Sequence, residues 1–159
     1  MKTNSLWTVL LTMLLLPTAC GKTAQEPVDL SKSYLAGMDT IRQQLGDVPM
    51  MEEENDPDVL EIMYPGLRDI DHKQLVVWVS PIAQMPAEVA MVEVTSANDA
   101  QAAADIFKDR IAFKAEDAFY PDAVAQWKNA AQVSVSGNYV VLAVMPRGVA
   151  LPNEFLAKF

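Results

Sequence analysis

The side chains of this sequence that could do chemistry are mostly carboxylates. The 159 residues include 21 Asp and Glu, 12 Lys and Arg, one His and one Cys, and the net charge at pH 7 is −9. With His72 as the single histidine, the chain cannot build a histidine metal cage, a Cys–His pair or a Ser–His–Asp triad. The acidic run at 52–58 lacks the glycine and the distal glutamate of an EF-hand, so we expect solvated carboxylates there. We therefore predict no metal and no cofactor.

The charge distribution also bears on partners. Acidic residues outnumber basic ones, and no basic cluster is present anywhere in the sequence. Such a surface repels the phosphates of nucleic acid, so a nucleic-acid partner is excluded. Pairs of carboxylates can hydrolyse glycosidic bonds, but nothing in the sequence distinguishes one pair from the others.

One arginine lies inside an apolar helical pattern. Arg110 is flanked by Phe107 and Ile111, and it either pairs with an acid such as Glu88 or anchors an anionic ligand. The structural pair is the favoured alternative. The aromatic residues either line a groove for a sugar or peptide or fill the core and its rim, with the core favoured: Tyr64, Trp78, Tyr120, Trp127 and Tyr139.

The lone cysteine follows a leader-like segment. A single charge at Lys2 precedes the apolar run 6–16, which is shorter than the ~20 residues that span a bilayer and suits a signal peptide. Small residues and Cys20 come next, and this segment resembles the lipobox of bacterial lipoproteins, although its leucine, Leu16, stands four residues before the cysteine rather than three. The alternative is an ordinary secretory signal cleaved nearby, which leaves a free thiol.

The lipobox resemblance implies a domain organisation and a location. Residues 1–19 are expected to be a lipoprotein signal peptide, 20–28 a polar tether and 29–159 a single domain. Cys20 would become a diacylglyceryl cysteine carrying acyl chains such as palmitate, so its partner is membrane lipid. Two or three chains, at about 0.8 kcal/mol per buried methylene, hold a protein stably on a membrane. We expect an extracytoplasmic protein anchored to the cell membrane.

Apolar periodicity predicts the helices. Residues 96–118 place apolar side chains at three- and four-residue steps, a one-stripe helix that needs a sheet or a second helix to cover it. Ser96, three residues before Asp99, marks its start with a weaker form of the capping box. Further helices are predicted at 29–45, ending at Gly46, from about 57 to 64, at 122–130 and at 151–159.

Strands are predicted at 75–80, at 88–94 and in a hairpin over 132–145. Gly137-Asn138 separates the two runs of the hairpin, and glycine accepts the positive φ that a two-residue turn requires. The elements together predict an α+β fold in two layers. An antiparallel sheet of about four strands would carry helices packed mainly on one face.

The hairpin face opposite the core is a candidate binding surface. Tyr139, Val141 and, on the neighbouring strand, Met91 would form a mildly apolar patch if helices cover only one side of the sheet. The alternative is that the helix at 29–45 folds over this face and makes it a second core layer.

From about residue 56 onward the order of short motifs is similar to that of a bacterial lipoprotein family, domain of unknown function 4358. The matching segments are Met63-Tyr64, a following strand, residues 86–90, the helix with Arg110, Tyr120-Pro121, and residues 137–141. The resemblance implies an extracytoplasmic lipoprotein domain without a known activity, so it brings no catalytic residues. Two functions remain: a non-catalytic module that binds a ligand or an envelope protein, and a carboxylate-dependent envelope hydrolase.

Overall fold

The computed structural model describes residues 28–46, 48–117 and 119–146. The predicted signal peptide, Cys20, the tether up to residue 27 and the predicted helix at 151–159 lie outside these residues. Within them, five antiparallel strands form a sheet and four α-helices pack against it. The predicted α+β class, with an antiparallel sheet and packed helices, is confirmed.

The strands form one sheet in the order β1-β2-β3-β5-β4. Their bounds are β1 Glu52–Glu53, β2 His72–Val79, β3 Glu88–Val94, β4 Gln132–Ser136 and β5 Tyr139–Val144. The sheet has one strand more than the roughly four predicted. Glu52 and Glu53, at the start of the acidic run 52–58 (the acidic connector), pair with Val79 and Trp78 at the edge of the sheet. β3 is buried along its whole length, as expected for a strand covered on both faces.

Three helices cover one face of the sheet: α2 Pro57–Met63, α3 Ala97–Asp117 and α4 Pro121–Ala130. The small side chains of Ala100, Ala103 and Ala104 are buried and let α3 approach the sheet closely, while Phe107 supplies the bulk. Ser96 caps α3 as predicted, since its Oγ accepts from the amide of Asp99 at 3.2 Å. The core on this side also includes Val140, Leu142 and Val144 of β5 and their neighbours on β3.

The fourth helix, α1 Leu30–Leu45, covers the opposite face. It begins at Asp29, whose side chain accepts from the amide of Lys32, and it ends at Gly46 with φ 77°. Tyr34 stacks on Trp78, with ring centroids 4.3 Å apart, and burial raises the pKa of Tyr34 to about 12. A second core layer forms under α1.

This second layer corrects the predicted binding surface. Met91 is 0% exposed and Val141 is 2% exposed beneath α1, and Tyr139 packs half-buried against the same cluster. The apolar stripe of α1 requires a partner surface, and this face of the sheet supplies it. Tyr139, Val141 and Met91 are therefore core residues on this face and not a docking site.

The predicted hairpin is confirmed in its register. Ser136 pairs with Tyr139 and Val135 with Val140, which leaves Gly137 and Asn138 as the two turn residues. Gly137 has φ 57°, in the left-handed region that favours glycine.

Candidate ligand-binding site

The central feature of the candidate site is a buried ion pair between α3 and β3. Arg110 donates from Nε to Oε1 of Glu88 at 3.0 Å and from Nη2 to Oε2 at 2.9 Å. The side chains are 11% and 5% exposed, respectively. This is the structural pair that the sequence favoured for Arg110, in the two-pronged geometry that a planar guanidinium gives.

Aromatic rings enclose this ion pair. The hydroxyl of Tyr64 donates to Oε1 of Glu88 at 2.5 Å, and the guanidinium carbon of Arg110 lies 5.6 Å from the Tyr64 ring centroid. Trp127 of α4 flanks the same guanidinium at 5.9 Å. The Tyr64 ring meets Phe107 edge-on at 5.4 Å. Each group of the cluster therefore has a polar partner, a ring face or a packed neighbour.

The protonation states of the cluster follow from burial and charge. Burial, together with the adjacent Glu88 carboxylate, raises the pKa of Tyr64 well above its usual value, so the phenol stays protonated. Burial opposes the charge of Arg110, but the hydrogen bonds and charge of Glu88 outweigh it and raise the pKa of Arg110. The cluster is thus a neutral phenol on a guanidinium–carboxylate pair with no net charge.

A cavity of about 480 Å³ opens above this ion pair, at the end of the sheet where β2 ends and β3 begins. Its volume lies in the range of small-molecule sites, ~300–1,000 Å³. Apolar side chains form most of the wall, and two charged side chains, Glu54 and Lys114, join Glu88 and Arg110 in the lining. The main apolar contributors are Val59, Met63, Val79, Ile82, Phe119 and Trp127.

Three hydrogen bonds from two glutamine side chains hold the rim of the cavity. Gln84, in the loop between β2 and β3, donates to the hydroxyl of Tyr120 at 3.2 Å. Gln126 of α4 donates to the carbonyl of Pro86 at 2.6 Å and also to the carbonyl of Met145. Large apolar side chains remain exposed on this rim, with Phe119 at 93% and Ile82 at 38%. The rim joins the β2–β3 loop to the start of α4.

A second polar cluster lies at the opposite end of β2. Gln74 accepts from the amide of Leu30 at 3.0 Å and donates to the carbonyl of Val28 at 2.7 Å, so it holds the start of α1. It also donates to Glu93, whose other oxygen accepts from Lys73 at 2.8 Å. The hydrogen bond that Lys73 donates to Glu93 lowers the pKa of Glu93 and raises the pKa of Lys73. This cluster is structural.

The acidic connector and the single histidine also have structural roles. Asp56 caps α2 through the amides of Asp58 and Val59. The Nδ1 atom of His72 lies 2.7 Å from the carbonyl oxygen of Ile70. Within 28–46, 48–117 and 119–146, no group of three His, Cys, Asp or Glu side chains is placed to hold a metal ion. No helix of the same residues has the length and apolar character needed to cross a bilayer.

The cavity is the feature that sequence reasoning missed. Its lining comes from the connector before α2, the β2–β3 loop, the middle of α3 and the start of α4, and these segments are distant in sequence. The one available signal was Arg110 in an apolar helix face. Comparison of the chain with family models, with curated proteins and with solved structures gives no match.

Proposed function

We propose that this chain is a lipid-anchored extracytoplasmic module that binds a ligand in the cavity above Arg110 and Glu88 without transforming it. The observation that carries this proposal is that both carboxylate oxygens of Glu88 are held by hydrogen bonds from within the protein. Its Oε1 accepts from Arg110 and Tyr64, and its Oε2 accepts from Arg110. A carboxylate held in this way shapes the floor of a site and contributes no proton chemistry.

The alternative function, a carboxylate-dependent hydrolase, has less support at this cavity. General acid–base catalysis needs a carboxyl group within hydrogen-bond reach of the reacting atom and free to exchange a proton. Both oxygens of Glu88 are held by Arg110 and Tyr64, and Oε1 of Glu54 accepts from the amide of Asp56 at 2.8 Å. A pair of carboxylates poised on either side of a substrate bond is therefore not favoured here.

The anchor belongs to the proposal on separate grounds. The apolar run 6–16, the small residues after it and the single Cys20 have the composition of a lipoprotein leader. The resemblance of the motif order from residue 56 onward to domain of unknown function 4358, inferred from the sequence alone, would imply the same location. Lipid attached at Cys20 would hold the cavity near the membrane surface, where an envelope ligand or partner is encountered.

Intrinsic fluorescence offers a direct test of ligand binding in the cavity. Trp127 lines the cavity, whereas Trp78 stacks under α1 on the other face of the sheet. The lipidated protein in lipid nanodiscs, carrying Trp78→Phe, would be screened against a library of small polar and amphipathic compounds. We expect ligands that shift the emission of Trp127 and are recovered chemically unchanged.

Two matched variants decide whether such ligands occupy the cavity. Ala83 is exposed and lines the cavity, so Ala83→Phe should fill its mouth and weaken binding. Ala112 is exposed on α3 outside the lining, so Ala112→Phe is the control. Binding that survives Ala83→Phe unchanged, or conversion of the ligand to a product, would refute the proposed function.

A further inference from the structure

Two side chains of opposite charge line the cavity without pairing. Lys114 and Glu54 are both half-buried there, and neither forms an ion pair with the other or with any further residue in the part of the chain that the structure describes. The contrast is with Arg110 and Glu88 on the floor of the same cavity, which neutralise one another at 2.9 Å. The site therefore presents one cation and one anion without an ion-pair partner, and since the amide of Asp56 donates to Oε1 of Glu54, it is Oε2 that is available to a ligand.

The position of Lys114 follows from helix geometry. It lies four residues after Arg110, and side chains at this spacing share one face of a helix. Five other cations among the described residues are paired with acids: Lys32, Arg42, Lys73, Lys108 and Arg110. Arg68 and Lys128 also form no ion pair among the described residues, but both are exposed to solvent, whereas Lys114 is half-buried in the cavity lining. The available partner of Lys114 inside the cavity is a ligand.

The position of Glu54 follows from the edge of the sheet. Its amide donates to the carbonyl of Val77 at 2.8 Å, just after the two residues of β1. This backbone bond fixes the connector beside β2, and the side chain then joins the wall of the cavity. Glu54 comes from the connector and Lys114 from α3, so the two charges are held on separate elements with apolar wall residues in the same lining.

We propose that the cavity binds a short peptide with apolar side chains, its carboxylate at Lys114 and its ammonium at Glu54. This inference rests on the proposed ligand-binding function and names the ligand class for the same site. A peptide with free ends carries both charges and an apolar body, which matches Lys114, Glu54 and the wall formed by Met63, Val79 and Trp127. The complementary charges fix the direction in which the peptide lies.

The experiment removes each terminal charge of a peptide ligand and each charged side chain of the cavity, and it measures binding for every combination. The probe is the dipeptide Leu-Phe in four forms: free, N-acetylated, C-amidated, and blocked at both ends. Binding is measured by Trp127 emission in the Trp78→Phe background, in nanodiscs. The variants are Lys114→Gln and Glu54→Gln. Their controls are Lys128→Gln and Glu53→Gln, at exposed positions outside the lining.

The expected pattern is specific to each end of the dipeptide. Lys114→Gln should weaken binding of the forms with a free carboxylate by about three- to tenfold, since a partly exposed charge pair contributes on the order of 1 kcal/mol. The affinity for the amidated forms should stay unchanged. Glu54→Gln should have the same effect on the forms with a free amine and none on the acetylated forms. The control variants should bind all four forms like the parent protein.

Three outcomes would overturn the peptide assignment and leave the proposed function standing. The first is equal affinity for the free and the doubly blocked dipeptide. The second is the absence of Leu-Phe binding while library compounds still bind in a manner sensitive to Ala83→Phe. The third is displacement of a bound library compound by phosphatidylethanolamine vesicles, which carry ammonium and phosphate groups, when Leu-Phe does not displace the same compound. If no compound of any class binds the cavity, the proposed function fails as well.

Discussion

The guanidinium of Arg110 binds both carboxylate oxygens of Glu88, at 3.0 and 2.9 Å, and so joins the middle of α3 to the first residue of β3. The pair is largely buried, with the side chains of Arg110 and Glu88 11% and 5% exposed. Such pairs are weak sources of net stability, but they are costly to break one partner at a time. The pair therefore fixes the position of α3 along the sheet and forms a rigid floor for the cavity.

The first prediction concerns this ion pair. Arg110→Met should lower the free energy of unfolding by about 3–5 kcal/mol, because it leaves the Glu88 carboxylate buried with only Tyr64 as a partner. The double variant Arg110→Met, Glu88→Leu should recover most of that loss. Lys108→Met is the control, since its pair with Asp105 is exposed and should contribute less than about 1 kcal/mol. Urea denaturation measures all three. Equal stabilities for Arg110→Met and Lys108→Met would contradict the prediction.

The second prediction concerns the hairpin turn. Gly137→Val should destabilise the protein by about 1–3 kcal/mol, because Gly137 has φ 57° and a β-branched residue is strained there. Apart from Gly137 itself and its two chain neighbours, no residue has an atom within 4 Å of the position that a Cβ would take, so the cost comes from backbone strain and not from a clash. Gly137→Asn should cost less, since asparagine tolerates this conformation. Equal melting midpoints for the valine and asparagine variants would show that strain at this turn is unimportant.

The third prediction concerns the anchor. Cys20→Ser removes the thiol that would receive the diacylglyceryl group, so the protein should move from the membrane to the soluble fraction. Partition into Triton X-114, followed by mass spectrometry of the N-terminal peptide, measures this change. The matched control is Thr18→Ser, which alters the same segment and keeps the cysteine. A Cys20→Ser protein that still partitions into detergent would rule out lipidation at this site.

The fourth prediction concerns acid sensitivity. The hydrogen bond from Lys73 lowers the pKa of Glu93 below its ordinary value of 4.5 in the folded state. The contribution of Glu93 to stability is then complete above the unfolded pKa and is lost as the pH falls through the lower folded pKa. Glu93→Gln should remove this part of the acid dependence. Its free energy of unfolding should therefore fall less steeply with decreasing pH, below about pH 4.5, than that of the parent protein. Denaturation at a series of pH values between about 6 and 3 measures how the free energy of unfolding depends on pH. Asp69→Asn, at an exposed position, is the control and should keep the pH dependence of the parent protein. Equal pH dependence for the two variants would contradict the prediction.

Most of the element boundaries could be predicted because their signals are local. α1 is marked by Asp29 at its start and Gly46 at its end, and the hairpin is marked by Gly137 and Asn138 between alternating residues. The pair of Arg110 with Glu88 was also predictable, because a buried guanidinium needs a nearby acid and Glu88 begins the adjacent strand. These features depend on residue type and short spacing.

The features that could not be predicted depend on tertiary position. Glu52 and Glu53 have low strand propensity, and they form β1 only because the connector passes beside Val79 and Trp78 of β2. The covering of Met91 and Val141 by α1 depends on which face that helix packs against, and periodicity gives only its apolar stripe. The cavity combines segments from four parts of the chain, so no local pattern encodes it.

The hydrogen bonds of Gln74 have a mechanical consequence. They attach the chain at Val28 and Leu30 to the start of β2, whereas the cavity lies at the other end of that strand, about 26 Å away for its eight residues. With lipid on Cys20, the tether to Val28 reaches at most about 28 Å when fully extended. Lipid on Cys20 would therefore attach to the domain at the end of β2 opposite to the cavity. Tension on the tether would load α1 and the start of β2 and would leave the ligand-binding end unstrained.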